Sequence, residues 1–207
     1  MTSLAIGNGL RLITTSVGPM DNNAYLLTDG SDALLIDAAA EPRVLLTLLD
    51  GLHLTGVVTT HRHRDHIQAL AAVVAATGAP AYAGTPDAAA IAAATRVTCR
   101  SVWDGDTLAI GDAQLEVIGL VGHTPGSIAL AHTPSDGPDR LFTGDSLFPG
   151  GVGKTTGGAD FDSLLHDVTT KLFDRFDDAT VVHPGHGADT TLGTERPHLE
   201  EWRVRRW

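Results

Sequence analysis

Residues 56–67, GVVTTHRHRDHI, place three histidines and an aspartate within six positions, His61 to His66, directly behind a short apolar run. Gly56–Thr60 has the length and β-branched content of a buried strand. In the extended loop that follows, residues two apart point the same way, so His61 and His63 can face one metal ion. Asp65 and His66 open the next helix and project differently, which suits a second ion beside the first. A polar loop, or histidines paired to nearby carboxylates, is the plainer explanation for such residues elsewhere. Here four ligand-type side chains crowd one strand end, where they have no packing purpose.

Outward from this stretch, apolar runs alternate with helical patterns and no linker divides the chain. Leu10–Val17, Ala24–Thr28 and Ala33–Ile36 read as strands, separated by the turn pairs Gly18-Pro19 and Asp29-Gly30. Pro42 opens a helix carrying Leu45, Leu46, Leu48 and Leu49, which Gly51 closes. Asp65 is expected to start another, with Ile67, Leu70, Ala71 and Val74 at helical spacing and Gly78 and Pro80 as stops. Thr107–Ile110, Gln114–Ile118, Ser127–Ala131 and Arg140–Thr143 read as strands, and Phe161, Leu164, Leu165, Val168 and Leu172 as one helix face. Thr180–Val182 is a last strand, and 183–207 reads as mostly tail. The pattern predicts an α/β chain of two mixed sheets packed face to face with helices outside. It is expected to form one domain over 1–207, with 187–207 as a C-terminal tail.

With 207 residues, 43% hydrophobic and 19% charged, the chain can bury a full core. Fourteen basic against twenty-five acidic residues give a net charge of −11, which argues against a nucleic-acid partner. The one basic cluster, Arg203, Arg205 and Arg206, reads as a solvated tail. Cys99 is alone and cannot form an internal disulfide. The start of the chain lacks the pattern of a signal peptide, and no stretch approaches the roughly 18 apolar residues of a membrane span. A cytoplasmic protein with no membrane partner is expected; the oligomeric state is open.

Three more ligand-type residues follow apolar runs. His123 stands in GHTPGS (122–127), Asp145 in TGDSLF (143–148) and His186 in HPGHG (183–187). Each alone is more often a turn or core residue. With the first cluster they make five His and two Asp at strand ends, enough for two divalent ions and a bridging carboxylate.

The order His61-x-His63-x-Asp65-His66, His123, Asp145, His186 resembles the metallo-β-lactamase superfamily across residues 20–190. GHTPGS and FTGDSLFPGGVGKT (142–155) resemble its glyoxalase II (hydroxyacylglutathione hydrolase) branch. The resemblance implies an αββα sandwich. It also implies His61, His63 and His123 on one metal, Asp65, His66 and His186 on the other, and Asp145 between them. Asp37, after the strand Ala33–Ile36, would be a supporting carboxylate behind the metal loop. The cofactor expected is two divalent ions, zinc first, with iron or manganese as alternatives. Antibiotic-hydrolysing members lack either the Asp145 or the His66 counterpart, which argues against a β-lactamase. Glyoxalase II proper carries a C-terminal helical domain with much of the glutathione site, whereas 21 residues follow His186 here. The thiol carrier is therefore open. The Arg- and Ala-rich composition is that of a GC-rich genome, and in the actinobacterial kind mycothiol replaces glutathione, making acyl- or formyl-mycothiol a candidate.

Lys154 lies in FPGGVGKT, which imitates a phosphate-binding loop but has Phe148 where the first glycine belongs. In the glyoxalase II branch the lysine of this loop faces the substrate; the plainer reading is an exposed loop lysine. His53, His132, His166, His183 and His198 read as surface or structural residues, and Cys99 as a small buried one.

Two ions about 3.5–4 Å apart lower the pKa of a shared water to near 7, and Asp65 would orient the resulting hydroxide toward a carbonyl. No general acid is evident. A thiolate, of ordinary pKa about 8.5, leaves without one, whereas an amine does not. The expected activity is hydrolysis of a small-molecule thioester. A mononuclear-iron persulfide dioxygenase, with iron on His61, His123 and Asp145, shares the motif but usually has Arg where Lys154 stands. A lactonase is a third reading.

Overall fold

Seven strands pair in chain order to build the first sheet: β1 (Thr2–Gly7), β2 (Leu10–Val17), β3 (Asn22–Thr28), β4 (Asp32–Ile36), β5 (His53–Thr59), β6 (Ala81–Gly84) and β7 (Cys99–Val102). The computed structural model describes residues 2–206. β1 to β4 are antiparallel and joined by tight turns; in one of these Asp29 accepts the amides of Ser31 and Asp32 at 2.8 Å. β4 to β7 are parallel, so each return needs a crossover. Helices α1 (Pro42–Leu48), α2 (Leu70–Thr77) and α3 (Thr85–Thr95) supply them.

The second sheet comprises β8 (Thr107–Ile110), β9 (Ala113–Gly119), β10 (Ile128–His132) and β11 (Arg140–Gly144). A separate hairpin, β12 (Leu147–Phe148) with β13 (Gly151–Val152), leads into α4 (Gly158–Asp167), and β14 (Val181–Pro184) and β15 (Thr190–Thr191) complete the sheet. Its order is β15-β14-β11-β10-β9-β8, and β11 with β14 is its parallel pair. Helices α5 (Leu192–Glu195) and α6 (Leu199–Arg205) end the chain.

Alternation along the strands makes the layers. On β3 and β4, Tyr25, Leu27, Leu34 and Ile36 face the second sheet, where Leu115, Val117, Leu130 and Phe142 meet them. Their neighbours Leu26 and Leu35 face the other way, onto Leu45, Leu70, Val73 and Ile91 of the first helical layer. Beyond the second sheet, Ile118, Ala129, Leu141 and Val182 pack on Phe161, Leu164, Leu165 and Trp202. The result is helix–sheet–sheet–helix, the αββα sandwich expected, with both sheets mixed. Among the described residues no helix is long and apolar enough to cross a membrane.

Three expectations change. The helix expected from Asp65 is broken: a 3₁₀ turn spans Arg64–His66 and α2 begins only at Leu70. The amides of Gln68 and Ala69 bond to Ala39 and Ala38 carbonyls at 3.0 Å instead of continuing a helical ladder. The segment 79–106, unassigned by pattern, holds β6, α3 and β7. The segment expected as a tail carries β15, α5 and α6, anchored by the buried Trp202. Arg206, expected to be solvated there, lies over the Phe161 ring and pairs with Asp162 at 2.8 Å.

Candidate metal centre

The loops after β5, β9, β11 and β14 open at one end of the sandwich. They bring His61, His63, Asp65, His66, His123, Asp145 and His186 together. Three groups of donor atoms each lie within 4.8 Å: His61, His63 and His123; His61, His66 and Asp145; and Asp65, His66 and His186. Asp145 touches both sides. Its Oδ2 is 3.6 Å from His123 Nε2 and from His186 Nε2, and 4.0 Å from His61 Nε2; its Oδ1 is 3.3 Å from His66 Nε2. Asp65 Oδ2 stands 3.4 Å from His66 Nε2 and 3.3 Å from His186 Nε2. Glycine permits this crowding: a Cβ on Gly185 would overlap Asp145 Oδ1, and one on Gly153 the Asp145 carbonyl.

The backs of the rings are fixed. Asp37 ends β4 in the left-handed region, at φ +57°. It accepts the Thr60 amide at 2.8 Å, the Thr60 hydroxyl at 2.7 Å and His66 Nδ1 at 2.8 Å. Thr60 Oγ1 in turn lies 3.1 Å from His61 Nδ1. His123 Nδ1 bonds the Lys154 carbonyl at 2.7 Å, and His186 Nδ1 the Met20 carbonyl at 2.9 Å. In all four rings Nε2 is left facing the cleft.

This arrangement fits divalent ions. A tetrahedral ion with bonds of about 2.0–2.2 Å holds its donor atoms about 3.3–3.6 Å apart, close to the spacings above. The buried Nε2 atoms of His61 and His123 have no hydrogen-bond partner. Asp145 Oδ1 is likewise without an aligned bond, although His66 Nε2 is 3.3 Å away. Buried nitrogens are rarely left unpaired, so these converging ligand atoms call for a cation.

Charge is distributed unevenly around the cleft. Burial, with the field of His66, pushes His61 well below the ordinary imidazole value, and burial lowers His123. Burial also opposes the charge on His66, but the carboxylates of Asp37 and Asp145 prevail and push it up to about 10. The Asp145 carboxylate, 3.6 Å away, raises His186. Against the cost of burial, the adjacent imidazoles of His186 and His66 hold Asp145 far below the carboxylate range, and the Asn22 bond keeps Asp65 low.

Several contributors lacked a sequence signal. Asn22 Nδ2 donates to Asp65 Oδ2 at 2.9 Å and lies 3.4 Å from Nε2 of both His66 and His186. Asn23 and Tyr25 bond the Pro184 carbonyl at 3.1 and 2.6 Å, fixing the loop before His186. A run of asparagines before a strand reads as turn chemistry, and only tertiary pairing carries them here. Asp87 is another, reached through Thr-Pro-Asp at a helix start.

Lys154 is exposed, beside a cavity of about 290 Å³ lined also by Phe148, Val152 and Arg205. It follows the β12–β13 hairpin, which stands where a phosphate-binding turn would have to be. A larger cavity, about 580 Å³, borders the metal loop at Arg62 and Arg64. The remaining histidines stay apart from the cleft. His183 lies 3.2 Å from Arg140 Nη1 and stacks on Phe142, and His132 bonds the Ile6 carbonyl at 3.1 Å. His53 and His198 pair with Asp32 and Glu201, and His166 is exposed. Cys99 is half-buried, which pushes its thiol pKa up.

Residues 17–186 match the family described as the metallo-beta-lactamase superfamily. A hydroxyacylglutathione hydrolase of Polaromonas sp. is 36% identical over 170 residues, covering 80% of this chain and 62% of that protein. The chain thus spans less than two thirds of that relative. The crystal structure of the BLEG-1 B3 metallo-beta-lactamase superposes with a TM-score of 0.76 at 28% identity, covering 90% of this chain and 97% of that one. That of TTHA1623 in a di-iron-bound form gives a TM-score of 0.71 at 33% identity, covering 89% and 96%.

Proposed function

The chain belongs to the metallo-β-lactamase superfamily, and from that membership we propose that it is a two-metal hydrolase of small-molecule thioesters, of the glyoxalase II-like kind. The observation that carries the reading is the convergence of seven His and Asp donors at the spacing of metal ligands. His61, His63 and His123 would hold one ion and Asp65, His66 and His186 the other, with Asp145 shared. When bound, divalent ions of this kind polarise a carbonyl and make a water acidic enough to attack at neutral pH.

The chain's own residues do the rest. Asp37, Thr60, Met20 and the Lys154 carbonyl fix the rings, so that little reorganisation is left when a substrate arrives. Asp65, kept ionised and tethered by Asn22, is placed to accept a hydrogen bond from the attacking water. Water adds its oxygen to the acyl carbon, the C–S bond breaks, and acid and thiol are the products. No protonated side chain is assigned to the leaving group, which suits a thiolate. The Lys154 ammonium, beside its cavity, would take an anionic end of the thiol carrier. The 36% identity to a hydroxyacylglutathione hydrolase supports a thioester, and the choice between glutathione and mycothiol rests with assay.

Zinc is the proposed metal. The di-iron-bound form of a 33% identical protein supports iron as the second choice of metal; the separate alternative, a persulfide dioxygenase with one iron on His61, His123 and Asp145, would be marked by oxygen uptake. The work is proposed for one domain, in the cytoplasm. Metal-loaded protein should release thiol from an acylglutathione or acyl-mycothiol, detected with a thiol reagent. Turnover of a lactone or a cephalosporin instead, or oxygen uptake with one bound iron, would overturn the reading.

A further inference from the structure

Asp87 sits in the first turn of α3 with 0% of its surface exposed. A buried carboxylate is costly unless several donors meet it. Its donors come from two separate loops. Oδ2 accepts the Arg62 amide at 3.0 Å and the Thr124 hydroxyl at 2.6 Å; Oδ1 accepts the Gly126 amide at 3.1 Å, with Arg62 Nε 3.7 Å away. Arg62 lies between His61 and His63, while Thr124 follows His123. The approach is close: a Cβ on Gly126 would overlap the Asp87 backbone. Thr124 and Ser127 add a hydroxyl pair at 2.7 Å, so the second loop is closed upon itself before it meets Asp87.

We propose that Asp87 is a positioning residue that locks the His61–His63 loop to the His123 loop and so sets the geometry of the three-histidine cluster. The inference rests on the metal reading above and goes beyond it. The carboxylate touches none of the three rings; it acts through the Arg62 and Gly126 amides and the Thr124 hydroxyl. That matters most for His63, whose ring has no hydrogen-bond partner among the described residues and is placed by the chain on either side of it. His61 and His123 each have their own ring partner. The second cluster is gripped differently, through Asp37, Met20 and Asn22, none of which touches Asp87.

The test uses the full chain in two backgrounds. His186→Ala leaves the three-histidine cluster intact, and His123→Ala leaves the Asp65–His66–His186 cluster intact. Cobalt(II) is titrated into metal-free protein and its visible absorption followed. Asp87→Asn should weaken binding about 10- to 100-fold in the first background and leave the second unchanged, the range found for partners behind a ligand shell. Thr124→Val should act in the same direction and Thr124→Ser should restore affinity. This pair keeps the test sound if Asp87→Asn does not fold. Without metal, amide exchange at Arg62 and Gly126 should quicken in Asp87→Asn while Thr60, held by Asp37, stays protected. Equal weakening in both backgrounds, or none in either, overturns the proposal. A His186→Ala chain that binds no cobalt at all would instead refute the metal assignment, and the inference with it.

Discussion

The two donor clusters share one cleft and one aspartate, yet they are held in opposite ways. Around His61, His63 and His123 the groups bonded to the rings are neutral, a threonine hydroxyl and a backbone carbonyl, while the loops are tied from behind by the Asp87 carboxylate, which touches no ring. Around Asp65, His66 and His186 the Met20 carbonyl and Asn22 amide are joined by carboxylates: besides the shared Asp145, Asp37 and Asp65 lie within 3.4 Å of an imidazole nitrogen. Burial keeps His61 and His123 neutral, whereas the carboxylates hold a proton on His66. The first cluster is therefore ready for a cation as it stands; the second must give up a proton to receive one.

The contrast collapses if the shared residue is removed. Asp145→Ala should empty both clusters and lower kcat/KM by more than the roughly 100-fold upper range for an outer partner. Near-normal turnover, or metal lost from one cluster only, would show that Asp145 does not join them. Asp37→Asn should weaken metal binding about 10- to 100-fold, most at the second cluster. Asp37 grips His66 directly and reaches His61 only through Thr60. Metal content measured after graded chelation would show the order of loss.

These differences also mark what sequence could and could not carry. HRHRDH was legible because ligand-type residues crowd a strand end, where packing gives no reason for them. The strand runs were legible because short apolar stretches such as Ala24–Thr28 and Ala33–Ile36, buried on both faces, are bounded by turn residues. The break between His66 and Leu70 was not, because amides bonding to Ala38 and Ala39 leave the apolar spacing of a helix untouched. α3 went unread since its run of alanines has no apolar stripe, and Asp87 went with it. Asn22 and Asp87 act on partners 43 and 37 positions away, distances at which one chain gives no signal. Trp202 stands among charges in sequence, and only its burial shows that the last helix is packed.

The pH dependence sharpens the comparison. In metal-free protein His66 keeps its proton up to about pH 10. An ion entering the second cluster below that pH must expel it, so affinity there should fall about tenfold per unit of acidification. Affinity at the first cluster should depend less on pH, since burial keeps His61 and His123 unprotonated. The sign for folding follows from the raised pKa. His66 stabilises the metal-free fold below 6.5, and that contribution is lost as pH rises through about 10. Calorimetry of metal-free protein should show Tm falling across this window, and an equal pH slope at both clusters would remove the distinction.

The smallest effect is expected outside both clusters. Lys154 is exposed and its ammonium gives uniform binding, so Lys154→Ala should raise KM for an acyl-thiol with an anionic carrier by a few-fold and leave kcat nearly unchanged. A small thioester without that anion should be indifferent to the change. Because His123 bonds the Lys154 carbonyl and not its side chain, the metal clusters should be unaffected. Equal losses on both substrates would place Lys154 among ordinary loop residues.

The central claim is that two ions together make a thioester hydrolase. Metal-free protein titrated with zinc, with thiol release from an acylglutathione or acyl-mycothiol followed at each addition, tests it most directly. The account predicts activity that climbs to a plateau at about two ions per chain, as a two-metal site requires. A plateau at one ion, or two bound ions with no thiol released from either ester, would contradict it.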